Sequence, residues 1–241
     1  MKKALVLGAS GATGQLLVTL LLEKGVEVIA IVRNADSLTK IDGTHQGLQV
    51  VEAEITTIPS NDLAEYLNEC EVVFSCLGHN ITFKGMFGHP RRLVTDAVTK
   101  IVNTIESMNT SNMIKIILMN TTGNSNRDIP EKPPYSQRLV ISLLRLLLPP
   151  HVDNENAADF LRLQVGQNNN SIEWLAVRPD ALIDQDKVSQ YDINVSPVRN
   201  VIFDAGSTSR INVADFMSEL AVNSALWNQW KGKMPVIYNH A

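Results

Sequence analysis

Three glycines spaced three apart, Gly8, Gly11 and Gly14, enclose Ser10, Ala12 and Thr13 in the run GASGATG. Residues of these types in this order suit one task, the holding of a diphosphate. Main-chain N–H groups reach a phosphate only where no Cβ intervenes, and a helix N-terminus adds a positive field. Gly8 lets the chain turn sharply, Gly11 leaves room for phosphate, and Gly14 allows a helix to pack closely on a strand. The hydroxyls of Ser10 and Thr13 are placed either to donate to phosphate oxygens or to cap the helix. The spacing is Gly-x-x-Gly-x-x-Gly, so its weight comes from context: an apolar run at 4–7 precedes it and a helical pattern at 15–24 follows. That context is the opening βα unit of a dinucleotide-binding fold.

Arg33 is the next residue with chemical content. It ends a second apolar run at 26–32. An acidic residue near this point would accept from a ribose 2′-hydroxyl, whereas a guanidinium fork suits a 2′-phosphate and stacks on adenine. The expectation is therefore NADP(H) in preference to NAD(H). Further candidates stand at later strand ends. Glu54 is placed to accept from an adenine amino group and Ile55 to pack on the ring, while Gly78 would let the chain pass the nicotinamide ribose. Proton chemistry is less clearly marked. Thr121 or Thr122 can hydrogen-bond a carbonyl, Tyr135 is the best-placed phenol, and His151, His79 and His89 titrate in a useful range. Among these, Thr121, Thr122, Tyr135 and His151 are the expected catalytic residues.

The elements that must position these groups alternate along the chain. Strands are expected at 48–53, 72–77, 114–119 and 172–177, with helices at 59–70, about 90–108 and 154–167. One short helix is expected within 34–47. Asn212 is expected to cap a final helix to 226, and 235–238 to form a last edge strand. The resulting fold class is α/β: a doubly wound parallel sheet with helices on both faces and a small C-terminal elaboration. Ligands bind such sheets outside the carboxyl ends of the strands. A single domain over residues 1–241 is expected, with substrate-pocket segments at about 79–92, 123–156 and 179–212.

Composition excludes several classes. A net charge of −4, no basic run and 5% aromatic residues argue against a nucleic-acid partner. No run approaches the roughly 18 apolar residues of a membrane span. Cys70 and Cys76 lack metal-ligand spacing and a disulfide framework, which suits a reducing, cytoplasmic setting; no metal is expected. The apolar stretch 139–148 reads as a helix packed on the core or in an interface, leaving open a homodimer, a regulatory protein partner or a roof over a substrate pocket.

The run GASGATGQLL, Arg33, CLG at 76–78, NTTG at 120–123, Arg178 with Pro179, and INVADF at 211–216 together resemble the atypical short-chain dehydrogenase/reductases. The similarity is to their NAD(P)H-binding, NmrA-like and biliverdin-reductase-B-like members, and it covers nearly the whole chain. It implies a Rossmann core in which Gly8, Ser10, Gly11, Ala12, Thr13, Gly14 and Arg33 hold NADP(H). By the same resemblance Leu77 and Gly78 meet its ribose, Thr121 and Thr122 stand near the nicotinamide, and Arg178 and Pro179 shape the adjoining wall. One departure is clear. The Tyr-x-x-x-Lys pair of ordinary short-chain dehydrogenases is missing, since Tyr66, Tyr135 and Tyr191 are followed four residues on by Cys70, Leu139 and Val195. The expectation is an oxidoreductase that reduces a small apolar or conjugated acceptor (a flavin, quinone or enone) by hydride transfer. Two alternatives are a non-catalytic NADP(H) redox sensor that binds a protein partner and an epimerase- or dehydratase-like enzyme.

Overall fold

The computed structural model describes every residue except 1, 40, 42–44, 80, 81, 83–87, 109–111 and 241. The chain runs β1 (Lys3–Leu7), α1 (Ala12–Glu23), β2 (Glu27–Val32), β3 (Leu48–Glu52), α2 (Ser60–Asn68), β4 (Val72–Ser75), α3 (Leu93–Ser107) and β5 (Ile114–Met119). It continues with α4 (Tyr135–Leu147), α5 (Pro149–Phe160), β6 (Ile172–Pro179), β7 (Ala181–Ile183), β8 (Tyr191–Asn194), β9 (Ser207–Ser209), α6 (Arg210–Val222), α7 (Ser224–Trp230) and β10 (Val236–Asn239). Eight strands form one sheet in the order β3-β2-β1-β4-β5-β6-β10-β8, and β7 pairs with β9 separately. Every neighbouring pair in the large sheet is parallel except β10 with β8.

The alternation of side chains along each strand divides the interior in two. Leu5, Leu7, Ile29, Ile31 and Val73 face one side, where α2, α3 and α5 supply Leu63, Ile101 and Ala157. Ala4, Val6, Val28, Ala30 and Phe74 face the other, against Leu17 and Leu21 of α1 and Phe216 and Leu220 of α6. Both faces of the sheet are covered, which is why its strands read as continuous apolar runs.

Three expectations need correction. The helix expected at 154–167 begins earlier, at Pro149, because prolines at the first turn need no N–H partner; it ends in a π-helical turn, Leu161–Val165. The cap of α6 is Ser209, whose side chain accepts from the Asn212 amide; Asn212 lies inside the helix, and Asn223 caps a separate α7. Residues 236–239 are not an edge, since β8 closes over β10. Between β2 and β3 the short helix is a single 3-10 turn at Ala35–Ser37. Residues 40 and 42–44 of that segment lie outside the described residues.

The β1–α1 junction is the tightest point of the fold. Gly8 has φ +72°, and a Cβ there would lie 2.6 Å from the Cys76 carbonyl oxygen. A Cβ on Gly14 would fall against the Gly8 carbonyl, 2.8 Å from its carbon and 3.0 Å from Ala9 Cα. Both obstacles are backbone and cannot swing aside. Gly14→Ala is expected to lower stability by about 1–3 kcal/mol. An unchanged urea midpoint at unchanged slope would contradict this.

Candidate functional site

Helix α1 starts without help from a side chain. Its N-cap is Gly11, no side chain caps that end, and its first turn holds no acidic residue. The first intrahelical bond is Gln15 N–H to Gly11 C=O, at 2.9 Å. The amides of residues 12–14 therefore face out of the helix end with its positive field. Neither the Ser10 nor the Thr13 hydroxyl caps the helix, one of the two roles open to them. Instead the Ser10 carbonyl accepts from Gln15 Nε2 at 3.0 Å, which braces the turn.

Two adjoining cavities meet at this helix end, sharing Gly11, Cys76, Leu77 and Gly78. The first, of ≈ 210 Å³, runs over the carboxyl ends of β1, β2 and β3 and is lined by Gly8, Ser10, Ile31, Arg33, Glu54 and Ile55 among others. Parallel pairing of β2 on both β1 and β3 puts these strand ends side by side. Arg33 is exposed at the mouth and forms no ion pair or hydrogen bond among the described residues. Ile31 and Ile55 are buried and give the cavity an apolar floor. The second cavity, of ≈ 320 Å³, is lined by Ala12, Thr13, His79, Met119, Asn120, Asn154 and Arg210 besides the shared residues.

Asn120 ties this second cavity together. Its amide donates to the Asn154 carbonyl of α5 at 2.8 Å, and its side-chain oxygen accepts from the Thr121 amide at 2.9 Å. Next to it, His79 Nε2 lies 2.8 Å from Asp153 Oδ2, and the two side chains are 5% and 1% exposed. Burial pushes the Cys76 and Cys70 thiols up to about 12, so neither is a ready nucleophile near neutral pH.

The expected catalytic residues fall elsewhere. Thr122 is buried and its hydroxyl donates to Asp180 Oδ1 at 3.3 Å. Burial raises the Asp180 carboxyl above its ordinary range, against the Gly206 and Ala181 amides and the Thr122 hydroxyl. Thr121 Oγ1 accepts from the Gly123 amide at 3.3 Å and lines neither cavity. Tyr135, at the first residue of α4, is 80% exposed. Arg178 is not a cofactor wall. It is fully buried, its guanidinium 2.7 Å from Glu131 Oε1 and 2.7 Å from the Met234 carbonyl, while Pro179 continues β6 beside β10. The apolar helix α4 buries only Gln137 and Ile141 and leaves Leu139, Leu143, Leu146 and Leu147 exposed, so it does not pack on the core along its length. Asn154, Arg210 and Asp153 were not singled out by residue type. Asn120 stood in the NTTG motif and His79 among the titrating histidines, but the partners that fix them lie in segments far apart in sequence.

His151 belongs to a different cluster. Its Nε2 stands 3.4 Å from Glu155 Oε1, and Arg145 grips the same carboxylate at 2.8 Å through both Nε and Nη2. Burial works against the Glu155 charge, but His151 and Arg145 outweigh it and hold the carboxyl at about 2, below its ordinary 4.5. A depressed carboxylate contributes stability that is complete above about 4.5 and is lost as pH falls toward about 2. Glu155→Gln is expected to flatten the acid limb of the stability–pH curve in that window. Parallel curves for wild type and variant would refute the assignment.

Comparison with known proteins bears on the family and the fold. A family model described as NAD(P)H-binding matches residues 8–224. Cinnamoyl-CoA reductase 1 of Petunia hybrida is 30% identical over 132 residues, 51% of this chain and 37% of that protein. The match thus spans little more than a third of that curated relative's length. A short-chain dehydrogenase/reductase from Veillonella parvula, solved in complex with NADP, superposes with a TM-score of 0.70 at 17% identity, covering 99% of this chain and 94% of the other. A provisionally assigned NADH-flavin reductase from Streptococcus pneumoniae superposes with a TM-score of 0.65 at 16% identity, covering 100% of both chains. At such identities the two structures speak to the Rossmann fold alone. No helix among the described residues is long and apolar enough to cross a membrane, and no group of His, Cys, Asp and Glu among them could hold a metal ion. With the glycine turn and the bare helix end inside the matched span, the chain belongs to the NAD(P)H-binding family.

Proposed function

We propose that the protein is an NADP(H)-dependent reductase of a small apolar or conjugated acceptor. The observation that carries the cofactor preference is Arg33, an unpaired cation among the described residues, on the rim of the cavity that begins at Gly8 and Gly11. A guanidinium there matches a ribose 2′-phosphate in charge and fork geometry. In this reading the amides of residues 12–14 hold the diphosphate, Ile55 floors the adenine, and Leu77 and Gly78 border the second ribose. The nicotinamide would supply hydride; the protein orients the acceptor and excludes water from it.

The second cavity supports the acceptor half of the reading. Its walls take His79, Asn154 and Arg210 from the three segments expected to build a substrate pocket. Arg210 also pairs with the exposed Asp184 at 2.8 Å, so it can turn toward a ligand at small cost. The curated relative's name specifies a conjugated cinnamoyl thioester, which favours a conjugated carbonyl over a saturated sugar. A second reading, an NADP(H) sensor that holds a protein partner, is favoured by the exposed leucines of α4.

Calorimetry and turnover separate the readings. NADPH is expected to bind more tightly than NADH, and Arg33→Ala to weaken NADPH by about tenfold, about 1.4 kcal/mol, with little effect on NADH. Gly11→Ala, whose Cβ would crowd the Gly8 carbonyl oxygen at 3.2 Å, should weaken both cofactors. NADPH oxidation with an enone, quinone or flavin supports the reductase. Tight NADPH binding without turnover of any of them supports the sensor, and equal NADH and NADPH affinities would refute the preference.

A further inference from the structure

We propose that the loop after β5 and the first turns of α4 form a second ligand site, separate from the cofactor's, for a small organic oxyanion: a carboxylate or phosphate carried on an apolar body. The proposal stands apart from the reductase reading. Two adjoining cavities, of ≈ 600 and ≈ 290 Å³, share Ser125, Glu131, Lys132, Pro133 and Gln137. No residue of either lines the cofactor cavities.

Gln137 is the observation that points to a ligand. Helix α4 buries only this residue and Ile141, and Gln137 is 6% exposed. Neighbouring groups ordinarily satisfy an amide at that depth, because an unmade hydrogen bond there is costly. The Gln137 side chain forms no hydrogen bond among the described residues, although it borders both cavities. Its amide is therefore a free donor and acceptor at a cavity wall.

Charge decides what it receives. Lys132 and Arg138 line the larger cavity, are exposed, and form no ion pair or hydrogen bond through their side chains among the described residues. Glu131, the carboxylate in both linings, is already spent. Its Oε1 accepts from Arg178 Nη2 at 2.7 Å, and its Oε2 from the Asn126 amide at 2.7 Å and Arg178 Nη1 at 3.1 Å. Arg145 and Arg199 also stand in the walls, but Glu155 and Asp204 hold their guanidinium groups. Two uncompensated cations remain. The start of α4 adds to them, since its N-cap is Pro134, no side chain caps that end and its first turn holds no acidic residue. The first intrahelical bond is Arg138 N–H to Pro134 C=O, at 3.0 Å, so the amides of residues 135–137 have no partner within the helix. An oxyanion seated here meets two cations, a helix end and a side-chain amide. Pro134, Pro197 and Val198 in the smaller cavity and Ile141 in the larger suit an apolar body.

The test is an NMR titration of the isotope-labelled full chain with phenyl phosphate and, separately, with benzoate, each with and without NADPH. The Gln137 side-chain amide and the Ser136 main-chain amide should move together and saturate at millimolar concentrations, while neutral benzyl alcohol moves neither. The tighter of the two anions names the class, phosphate or carboxylate. Joint replacement Lys132→Gln with Arg138→Gln should raise Kd about tenfold. Gln137→Leu should weaken binding similarly without lowering the thermal midpoint, since that side chain has no protein hydrogen bond to lose. Gln137 signals that ignore both anions, an equal response to benzyl alcohol, an unchanged Kd in the double variant, or a lowered midpoint in Gln137→Leu would each overturn the proposal. Signals of residues 11–13 report the cofactor cradle separately. An anion that moves those and not Gln137 sinks this site and leaves the cofactor reading standing.

Discussion

The close approach of α1 to the turn that follows β1 governs everything else in this molecule. Gly14 stands where a methyl group would strike the Gly8 carbonyl, and Gly8 turns where a methyl group would strike Cys76. Packing this tight allows the helix to start directly above the sheet. It also leaves the helix end without a side-chain cap and without a compensating acid. The same constraint thus sets the path of the backbone and creates a site whose field asks for an anion. Parallel pairing of β1 with β2 and β4 then brings Arg33 to one side of that helix end and Leu77 and Gly78 to the other.

The second half of the site is built by convergence of distant chain segments. Helix α5 is the organiser: Asp153 locks the start of α3 and the ring of His79, and Asn154 takes the amide of Asn120 after β5. Each bond joins segments at least 34 residues apart. The region is therefore a polar network whose members are satisfied by one another. Such networks specify geometry more than they add stability. Arg178 with Glu131 and Thr122 with Asp180 do the same behind the site, where they hold the loop after β5 without lining either of its cavities.

What was legible in the sequence was whatever depends on neighbours along the chain. The glycine run, the strands flanking it and the unbroken β5 at Ile114–Met119 are local signals, and Arg33 is read from its place at the end of β2. Where partners are remote, residue type misled. Thr121 and Thr122 looked like carbonyl donors, but their hydroxyls are drawn to the Gly123 amide and to Asp180, and only the preceding Asn120 faces the cavity. Of the histidines, nothing in the local sequence distinguishes His151 from His79. The difference is the partner: Asp153, 74 residues away, meets His79, whereas Glu155 meets His151. Helix boundaries missed for a related reason: Pro149, Ser209 and Asn223 each work through hydrogen-bond geometry at a helix end, which apolar periodicity does not report.

The most direct test maps the cradle itself. In an amide NMR titration of the isotope-labelled chain with NADPH, the main-chain signals of Gly11, Ala12 and Thr13 and that of Arg33 should move most and saturate together. Those of Glu131 and Arg178 should stay in place. Saturation that leaves residues 11–13 unmoved, or no response at millimolar NADPH, would contradict the account.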